Sequence, residues 1–276
     1  MPLPIAPTNI VADGPRDGHD VTVITGVPNH PRGKIFDGFK NRWLQEEKID
    51  GIRVIRTWMY LAPNSGFSRR IANYILFAFT AVLASFSAGK ADLVIATSPQ
   101  FFADIAGAII AKLKRRPFVL EIRDLWSESV VELDQLGDGP ILAGLEALEG
   151  WLYRSASGVV VNTRTFHHHI AARGVASDHI KLIYNGIDPS LFQPQPKNVE
   201  LLNKYGLAEH FTVGYVGTLG IAHGLTLLID VAEQIKTRSE LRFVLIGDGA
   251  DREELEADIA RRGLENVQLN VQLIGL

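Results

Sequence analysis

Two apolar segments in the last third of the chain end in glycines, a pattern that suits the binding of a phosphate group. Gly217 and Gly220 follow the segment 213–216, and Gly247 follows the segment 243–246. Glycines at a strand-to-helix turn let backbone N–H groups approach an anion, and the N-terminus of the next helix adds partial positive charge. The spacing therefore predicts a nucleotide-type ligand. On these residues alone, a turn that binds nothing is an equally good interpretation.

Polar residues also follow three other apolar segments. They are Arg123 and Asp124, then Asn162, Thr163 and Arg164, and finally Asn185, Gly186 and Asp188. Open α/β sheets bind ligands outside the carboxyl ends of their strands. If the parts of the chain that carry these residues face each other, we expect them to line one cleft. Two alternatives stay open, since Arg123 and Asp124 could form a structural ion pair and Asn185-Gly186 is by itself a turn signal.

Apolar runs alternate with segments of helix length along the whole sequence. Strand candidates are 21–25, 52–57, 93–97, 118–122, 158–162, 181–184, 213–216 and 243–246. Helix candidates are 69–88, 101–114, 141–154, 165–172 and a segment that starts near Ala222. The runs are continuous in Val, Ile and Leu, as in a parallel sheet that is covered on both faces. The alternation predicts a doubly wound α/β architecture.

One interruption of this alternation predicts two domains. The residues from Asp188 to Pro196 show no periodicity, so we place a linker at 191–204. We expect a Rossmann-like domain at 1–190 and a second, truncated one at 205–276. The second is truncated because too few residues follow Gly249 to complete a sheet of this kind.

Composition excludes several classes of protein. The chain has 276 residues, of which 46% are hydrophobic and 21% charged, and a formal net charge of −3. This charge gives no basic excess for nucleic acid. With no cysteine, the chain has no disulfide and no thiolate metal site. Its first residues lack the basic and apolar segments of a secretory signal, so we expect a cytoplasmic protein.

Five segments taken together resemble the pattern of glycosyltransferase family 4. They are GHDVTVITGVPNHPRGK (18–34), EIRDLWSES (121–129), VVVNTRTF (159–166), YNGIDPSLF (184–192) and VGYVGTLGIAHGL (213–225). The resemblance runs in the family's order from about Ile5 to Leu276, and it is far more specific than any single glycine loop. Within the family, the segments look like the bacterial WbuB/WcaI type of O-antigen and capsular polysaccharide assembly.

The resemblance implies a GT-B fold, in which two Rossmann-like domains, acceptor-side and donor-side, hold a nucleotide-sugar between them. It also implies retaining sugar transfer without a bound metal or other cofactor. The donor would be UDP-linked, and the acceptor would be a polyprenyl-diphosphate or a saccharide. By resemblance, Arg123 and Asp124 occupy catalytic positions. The donor-binding positions are Gly217, Thr218, Leu219, Gly220, His223 and Gly247.

The sequence also departs from the family pattern. Many relatives hold the donor diphosphate with an Arg and a Lys, whereas the matching residues here are Thr218 and His223. Both can hydrogen-bond phosphate, but neither has the fixed charge and bidentate geometry of Arg. We therefore expect the backbone amides of 219–221 to contribute more. The family's Glu pair would lie beyond Leu276 and its first strand before Pro4, which predicts a chain incomplete at both ends and inactive alone.

The uncharged run 71–89, with Arg69, Arg70 and Lys90 at its ends, admits three interpretations. It is long enough to span a bilayer. Its place between two strand candidates favours a crossover helix that covers the sheet. As a third possibility, Arg69 to Lys90 could lie on a membrane surface with its cations at phospholipid headgroups, which suits a lipid-linked acceptor.

His167, His168 and His169 form the most metal-like tract of the sequence. On a helix, however, neighbouring side chains point about 100° apart and cannot converge on one ion. We therefore predict a solvated helix face and no metal site.

Two other functions stay open at this point. One is a non-hydrolysing sugar-nucleotide epimerase of the same fold. The other is a non-catalytic module that only binds a ligand or a membrane.

Overall fold

The computed structural model describes residues 14–15, 17–29, 35–61, 67–125, 139–186, 192–220 and 223–270. The chain divides into two compact units, Met1–Ile187 and Asp188–Leu276. In both units, parallel strands alternate with helices, which confirms the predicted α/β class. The residues around Pro4, before which the family's first strand is expected, lie outside the described part.

Among its described residues, the first unit contains two sheets. One has β3 (Ile52–Thr57) at its centre, with β1 (Thr22–Thr25) parallel to it and β2 (Leu44–Ile49) antiparallel. The other is wholly parallel, in the order β4 (Val94–Thr97), β5 (Phe118–Ile122), β6 (Gly158–Val161) and β7 (Ile180–Leu182). The α-helices are α1 (Phe67–Ala84), α2 (Phe101–Lys114), α3 (Pro140–Ser155) and α4 (Arg164–Ala172).

Helix α2 and strand β5 occupy the residues predicted for them. The helix begins at Gln100, whose side chain accepts a hydrogen bond from the amide of Ala103 at 2.8 Å. It ends at Arg115, whose φ of 55° lies in the left-handed region that stops a helix. A methyl group added at Gly107 would lie 2.5 Å from the Cβ of Ala96, so this glycine lets α2 pack closely on β4.

Strand β2 is not among the predicted elements. Its sequence, LQEEKI, is mostly polar, because all six paired positions on β2 are exposed or partly exposed on an edge strand. A turn signal was nevertheless present. Asp50 and Gly51 join β2 to β3 with φ values of 49° and 86°, the left-handed pair that a two-residue Asp-Gly hairpin requires.

Helix α1 has one buried and one exposed face. Thr80, Ala81 and Ala84 are at most 5% exposed and face the rest of the unit. On the outer face, exposure reaches 48% at Ile75 and 58% at Phe79. The interpretation as a crossover helix therefore accounts for only one face. None of the helices in the described ranges combines the length and apolarity needed to cross a bilayer.

The second unit contains one parallel sheet in the order β10 (Val267–Asn270), β9 (Leu241–Ile246) and β8 (Phe211–Val216). Its helices are α5 (Val199–Lys204), α6 (Thr226–Gln234) and α7 (Arg252–Arg262). The core is closed by fully buried side chains from a loop, a helix and a strand, namely Leu219, Ile229 and Leu245.

Two elements of this unit differ from the sequence prediction. Helix α5 lies inside the segment predicted as a linker, where Asn198 caps it by accepting a hydrogen bond from the amide of Leu201 at 2.9 Å. Helix α6 begins at Thr226 rather than near Ala222. The reason is Gly224, whose φ of 56° is incompatible with a continuous right-handed helix.

A buried carboxyl group, Asp104 on α2, lies under the parallel sheet of the first unit. It is 3% exposed, and its Oδ1 has no hydrogen-bond partner in the described part of the chain. Burial raises the pKa of Asp104 well above its usual range, and the carboxylates of Glu149 and Glu121 raise it further. Glu149 is itself paired with Arg173. Folding therefore disfavours the charged form of Asp104.

Replacing Asp104 with Asn should stabilise the first unit at neutral pH. In the native protein this carboxyl binds a proton more tightly than in the unfolded chain, so its contribution to stability falls as pH rises above about 4. We expect Asp104→Asn to be about 1–3 kcal/mol more stable than the parent at pH 7, the scale of one buried polar group without a partner. The difference should vanish near pH 4.

Urea unfolding followed by tryptophan fluorescence measures this effect, because all four tryptophans lie before residue 188. Asp92→Asn is the matched control, since that carboxylate is fully exposed and 3.9 Å from Arg116. A pH-independent gain for Asp104→Asn, or an equal gain for the control, would contradict the assignment.

Candidate functional site

The parallel sheet of the first unit brings the predicted site residues of that unit to one edge. Pairing is in register, with Thr97 opposite Glu121 and Val161 opposite Leu182. Because the strands run in the same direction, their carboxyl ends are level. The turns that follow β5, β6 and β7 therefore lie side by side, and these turns carry Arg123, Asn162 and Asn185.

Arg123 and Asp124 form the turn after β5. The hydroxyl of Ser98, at the end of β4, accepts hydrogen bonds from their amides at 2.8 Å and 3.1 Å. The guanidinium of Arg123 forms no ion pair or hydrogen bond with any described residue. The alternative of an Arg123–Asp124 ion pair is therefore wrong. Arg123 is half-buried and Asp124 exposed, so both are accessible to a ligand.

The turns after β6 and β7 are joined by a side-chain hydrogen bond. Nε of Arg164 donates to the hydroxyl of Tyr184 at 3.1 Å. Thr163 caps α4 by accepting a hydrogen bond from the amide of Phe166 at 3.1 Å, so its hydroxyl already has a structural role. Oδ1 of Asn162 is buried and has no partner among the described residues, which leaves it able to accept a hydrogen bond.

Asn185 and Gly186 follow β7 and are exposed. The predicted residue Asp188 lies outside the described residues. Tyr184 was not predicted as a site residue, although its position next to Asn185 at a strand end would have indicated it. The predicted cleft between the two parts of the chain stays a prediction.

In the second unit, the loops after β8 and β9 are pressed against each other. The amide of Gly217 donates to the carbonyl of Ile246 at 3.0 Å, and the amide of Leu219 donates to the carbonyl of Asp248 at 3.1 Å. A methyl group added at Gly247 would collide with the carbonyl oxygen of Gly217. This glycine is therefore needed for the close approach of two backbones.

The loop 217–220 presents its backbone differently from the sequence expectation. Leu219 is fully buried and its amide is already bonded to Asp248, so it is not free for a ligand. The amides of Thr218 and Gly220 have no acceptor within the described ranges. The amides of Thr218 and Gly220, and not that of Leu219, are therefore the ones available to an anion. Residues 221 and 222 lie outside the described part.

Tyr215, which the sequence reasoning missed, holds the loop 217–220 in place. Its hydroxyl donates to the carbonyl of Thr218 at 2.7 Å. The ring of His223 packs edge-on against that of Tyr215, and its Nδ1 lies 3.3 Å from the carbonyl of Gly220. The side chains of Thr218 and His223 are both exposed. The loop is therefore held in place before any ligand arrives, with amides, a hydroxyl and an imidazole at its surface.

Of the His, Asp and Glu residues in the described ranges, no three are grouped so that they could hold an ion. His167 faces Ser177, with 3.2 Å between its Nε2 and the hydroxyl. The chemistry available at the two sites is hydrogen bonding, the positive charges of Arg123 and Arg164, and the carboxylate of Asp124.

Comparison with known proteins identifies relatives over most of the chain. Residues 7–186 match the family described as the glycosyl transferase 4-like domain. The chain is 24% identical over 259 residues to the putative colanic acid biosynthesis glycosyl transferase WcaI of Escherichia coli, covering 91% of this chain and 63% of that protein. It is 28% identical over 183 residues to 2-deoxystreptamine glucosyltransferase of Streptomyces kanamyceticus, covering 63% and 46%.

Among solved structures, HepE of Anabaena, crystallised with UDP and glucose, has the same fold. Its TM-score is 0.57 at 24% identity, over 80% of this chain and 56% of HepE. The chain therefore spans less than two thirds of the length of these relatives. The WcaI match agrees with the resemblance seen in the sequence, whereas likeness to the WbuB type stays a prediction.

Replacing Gly247 with Ala should destabilise the second unit. The added methyl group must displace the carbonyl of Gly217, which costs about 1–3 kcal/mol or more. Gly214→Ala is the matched control, because a methyl group there meets no atom within 4 Å. Calorimetry should show a lower Tm for one transition in Gly247→Ala only. Tryptophan fluorescence, which reports the first unit, should not change, and an equal shift for both variants would contradict the steric explanation.

Proposed function

The chain belongs to the glycosyl transferase 4-like family, and we propose that it serves retaining sugar transfer from a nucleotide-diphosphate sugar. The donor is UDP-linked. The acceptor is a lipid-linked or free saccharide of bacterial surface polysaccharide assembly. The observation that carries the proposal is the pre-formed loop of the second unit, which presents the amides of Thr218 and Gly220 beside the side chains of Thr218 and His223.

Two observations support a UDP-linked donor: the hydrogen-bonding groups of the loop and the similarity of the fold to HepE. Two free amides, a hydroxyl and an imidazole can surround the oxygens of a diphosphate. The fold is shared with HepE, which has been crystallised with UDP-glucose. The role of WcaI, given as colanic acid biosynthesis, supports a polysaccharide precursor as the product.

In the proposed reaction, the chain positions its substrates and stabilises charge. The loop of the second unit would hydrogen-bond the leaving diphosphate as its negative charge grows, which is where fixed donors lower a barrier most. Arg123 would supply the positive charge next to the donor sugar, with Asp124 beside it. No protein nucleophile is needed, because the departing phosphate can accept the acceptor's proton on the same face of the sugar. No metal takes part in this scheme.

An enzyme with a lipid-linked acceptor must reach the membrane surface, and α1 offers a surface for that contact. The outer face of the helix and the turn just after it expose an apolar stripe of five residues with exposures from 37% to 68%: Ile75, Leu76, Phe79 and Leu83 on the helix, and Phe86 in the turn. Arg69 lies at one end of this stripe and Lys90 at the other, both exposed. The stripe and its cations suit a helix that lies at the level of lipid headgroups.

More cations come from the end of α2. Nζ of Lys114 donates to the carbonyl of Gly89, which ties the end of α2 to the chain just after α1. Lys112, Arg115 and Arg116 are exposed there. Each cation near an anionic surface contributes roughly 1 kcal/mol. We therefore propose peripheral association with an anionic membrane through the α1 stripe.

The donor site is tested by NMR titration of the 276-residue chain with UDP, pyrophosphate and uridine. We expect UDP and pyrophosphate, but not uridine, to shift the amide signals of Thr218 and Gly220. Affinity should be in the millimolar range, because only the diphosphate is held. His223→Ala should weaken the effect several-fold, whereas His168→Ala, at an exposed site in the other unit, should not. Shifts caused equally by uridine would overturn the assignment.

The reaction class is tested by incubating the intact protein that carries this chain with a UDP-sugar, with and without a polyprenyl-diphosphate sugar. Transfer with retained anomeric configuration, unaffected by EDTA, would support the proposal. Conversion of the UDP-sugar to its epimer without an acceptor would overturn it in favour of an epimerase.

Flotation with lipid vesicles tests the membrane surface. The chain should bind vesicles that contain anionic phospholipid and not purely zwitterionic ones. Phe79→Asp combined with Phe86→Asp should weaken binding at least tenfold, because it places charge in the apolar stripe. Leu227→Asp is the control, as Leu227 is 69% exposed on α6 of the second unit. Unchanged binding of the double variant would exclude the α1 stripe as the contact.

A further inference from the structure

Ser98 connects two strand ends of the first unit through a single hydroxyl group. It follows β4 directly and is 3% exposed. Its Oγ accepts hydrogen bonds from the amides of Arg123 and Asp124 at 2.8 Å and 3.1 Å, and it donates to the carbonyl of Asp124 at 3.1 Å. A hydroxyl has one donor and two acceptor positions, so all its capacity is used on one turn.

The position of Ser98 explains why the turn needs this support. Backbone pairing between β4 and β5 ends at Thr97 and Glu121, and the amide of Ser98 adds one last bond to the carbonyl of Glu121 at 2.9 Å. Beyond that point, Ser98 supplies the hydrogen bonds that a continuing strand would have made. Both amides of the turn are thereby satisfied where the strand ends.

The side chain of Arg123 makes no hydrogen bond or ion pair within the described ranges. Its guanidinium has no partner among the described residues. The backbone amide of Arg123, by contrast, is held by its hydrogen bond to Ser98. Loss of the hydroxyl would leave two amides without their acceptor, so the turn would move to find water or another partner.

We infer that Ser98 is the positioning residue of the Arg123–Asp124 turn, setting where these two side chains meet the donor sugar. This inference rests on the proposed function. Ser98 itself does not touch the substrate, and it has no part in the diphosphate loop of the second unit. Its loss should therefore slow the chemical step without weakening donor binding.

Two measurements on Ser98→Ala test the inference. In hydrogen exchange, the amides of Arg123 and Asp124 should exchange at least tenfold faster than in the parent chain. In sugar transfer, kcat should fall about 10- to 100-fold, since a misplacement of 1 Å can cost a factor of about 100. KM for the UDP-sugar should change less than about threefold.

Ser85→Ala is the matched control. Ser85 is 2% exposed, and its hydroxyl donates to the carbonyl of Val82 just before it in the chain. This variant removes an equally buried hydroxyl, so it should match Ser98→Ala in any general loss of stability. It should change neither the exchange at Arg123 and Asp124 nor kcat. Ser98→Thr, which keeps a hydroxyl, should restore slow exchange.

The two measurements test different parts of the inference. Unchanged exchange at Arg123 and Asp124 in Ser98→Ala would overturn the positioning role, whatever the chain catalyses. Faster exchange with unchanged kcat would overturn the link to the chemical step. If the intact protein that carries this chain transfers no sugar, the proposed function fails, and the exchange experiment alone decides whether Ser98 fixes the turn.

Discussion

In-register pairing of parallel strands is the constraint on which both candidate sites depend. In each unit it brings the strand ends to one edge, where the chain must leave the sheet and cannot continue the backbone ladder. Each exit leaves amides and carbonyls that need partners. The chain satisfies some of them internally, through Ser98 after β4 and through the contact of the loops after β8 and β9. The groups left over are the ones available to a ligand.

The two units meet this constraint with different residues. In the first, a side-chain hydroxyl replaces the missing ladder, and the turn that it holds carries a charged residue. In the second, two backbones approach so closely that only glycine fits at Gly247. A hydroxyl leaves the neighbouring positions free to vary in type, whereas a backbone contact fixes the shape of the loop itself. The first solution suits a turn that presents side chains, and the second suits one that presents amides.

The sequence predicted the elements whose local pattern is strongest. Continuous apolar runs located β3 and β5 to the residue, and a capped, periodic segment did the same for α2. It failed where tertiary contacts decide. Polar β2 is a strand because it lies at an edge. The amide of Leu219 is not available to a ligand, because it donates to the carbonyl of Asp248 in another loop. Ser98 carries no motif, although a polar residue at a strand end of an α/β sheet was a usable signal.

The loop of the second unit contains no lysine or arginine between Gly217 and Gly224. A diphosphate held there would interact with dipoles of amides and a hydroxyl, fixed at short range, instead of with a full charge. Dissolved ions screen interactions between exposed charges over about 8–10 Å, but they affect hydrogen bonds at contact distance far less. Substitution of Thr218 for the Arg of many relatives would thus leave an enzyme whose hold on its donor is weaker, yet nearly independent of ionic strength.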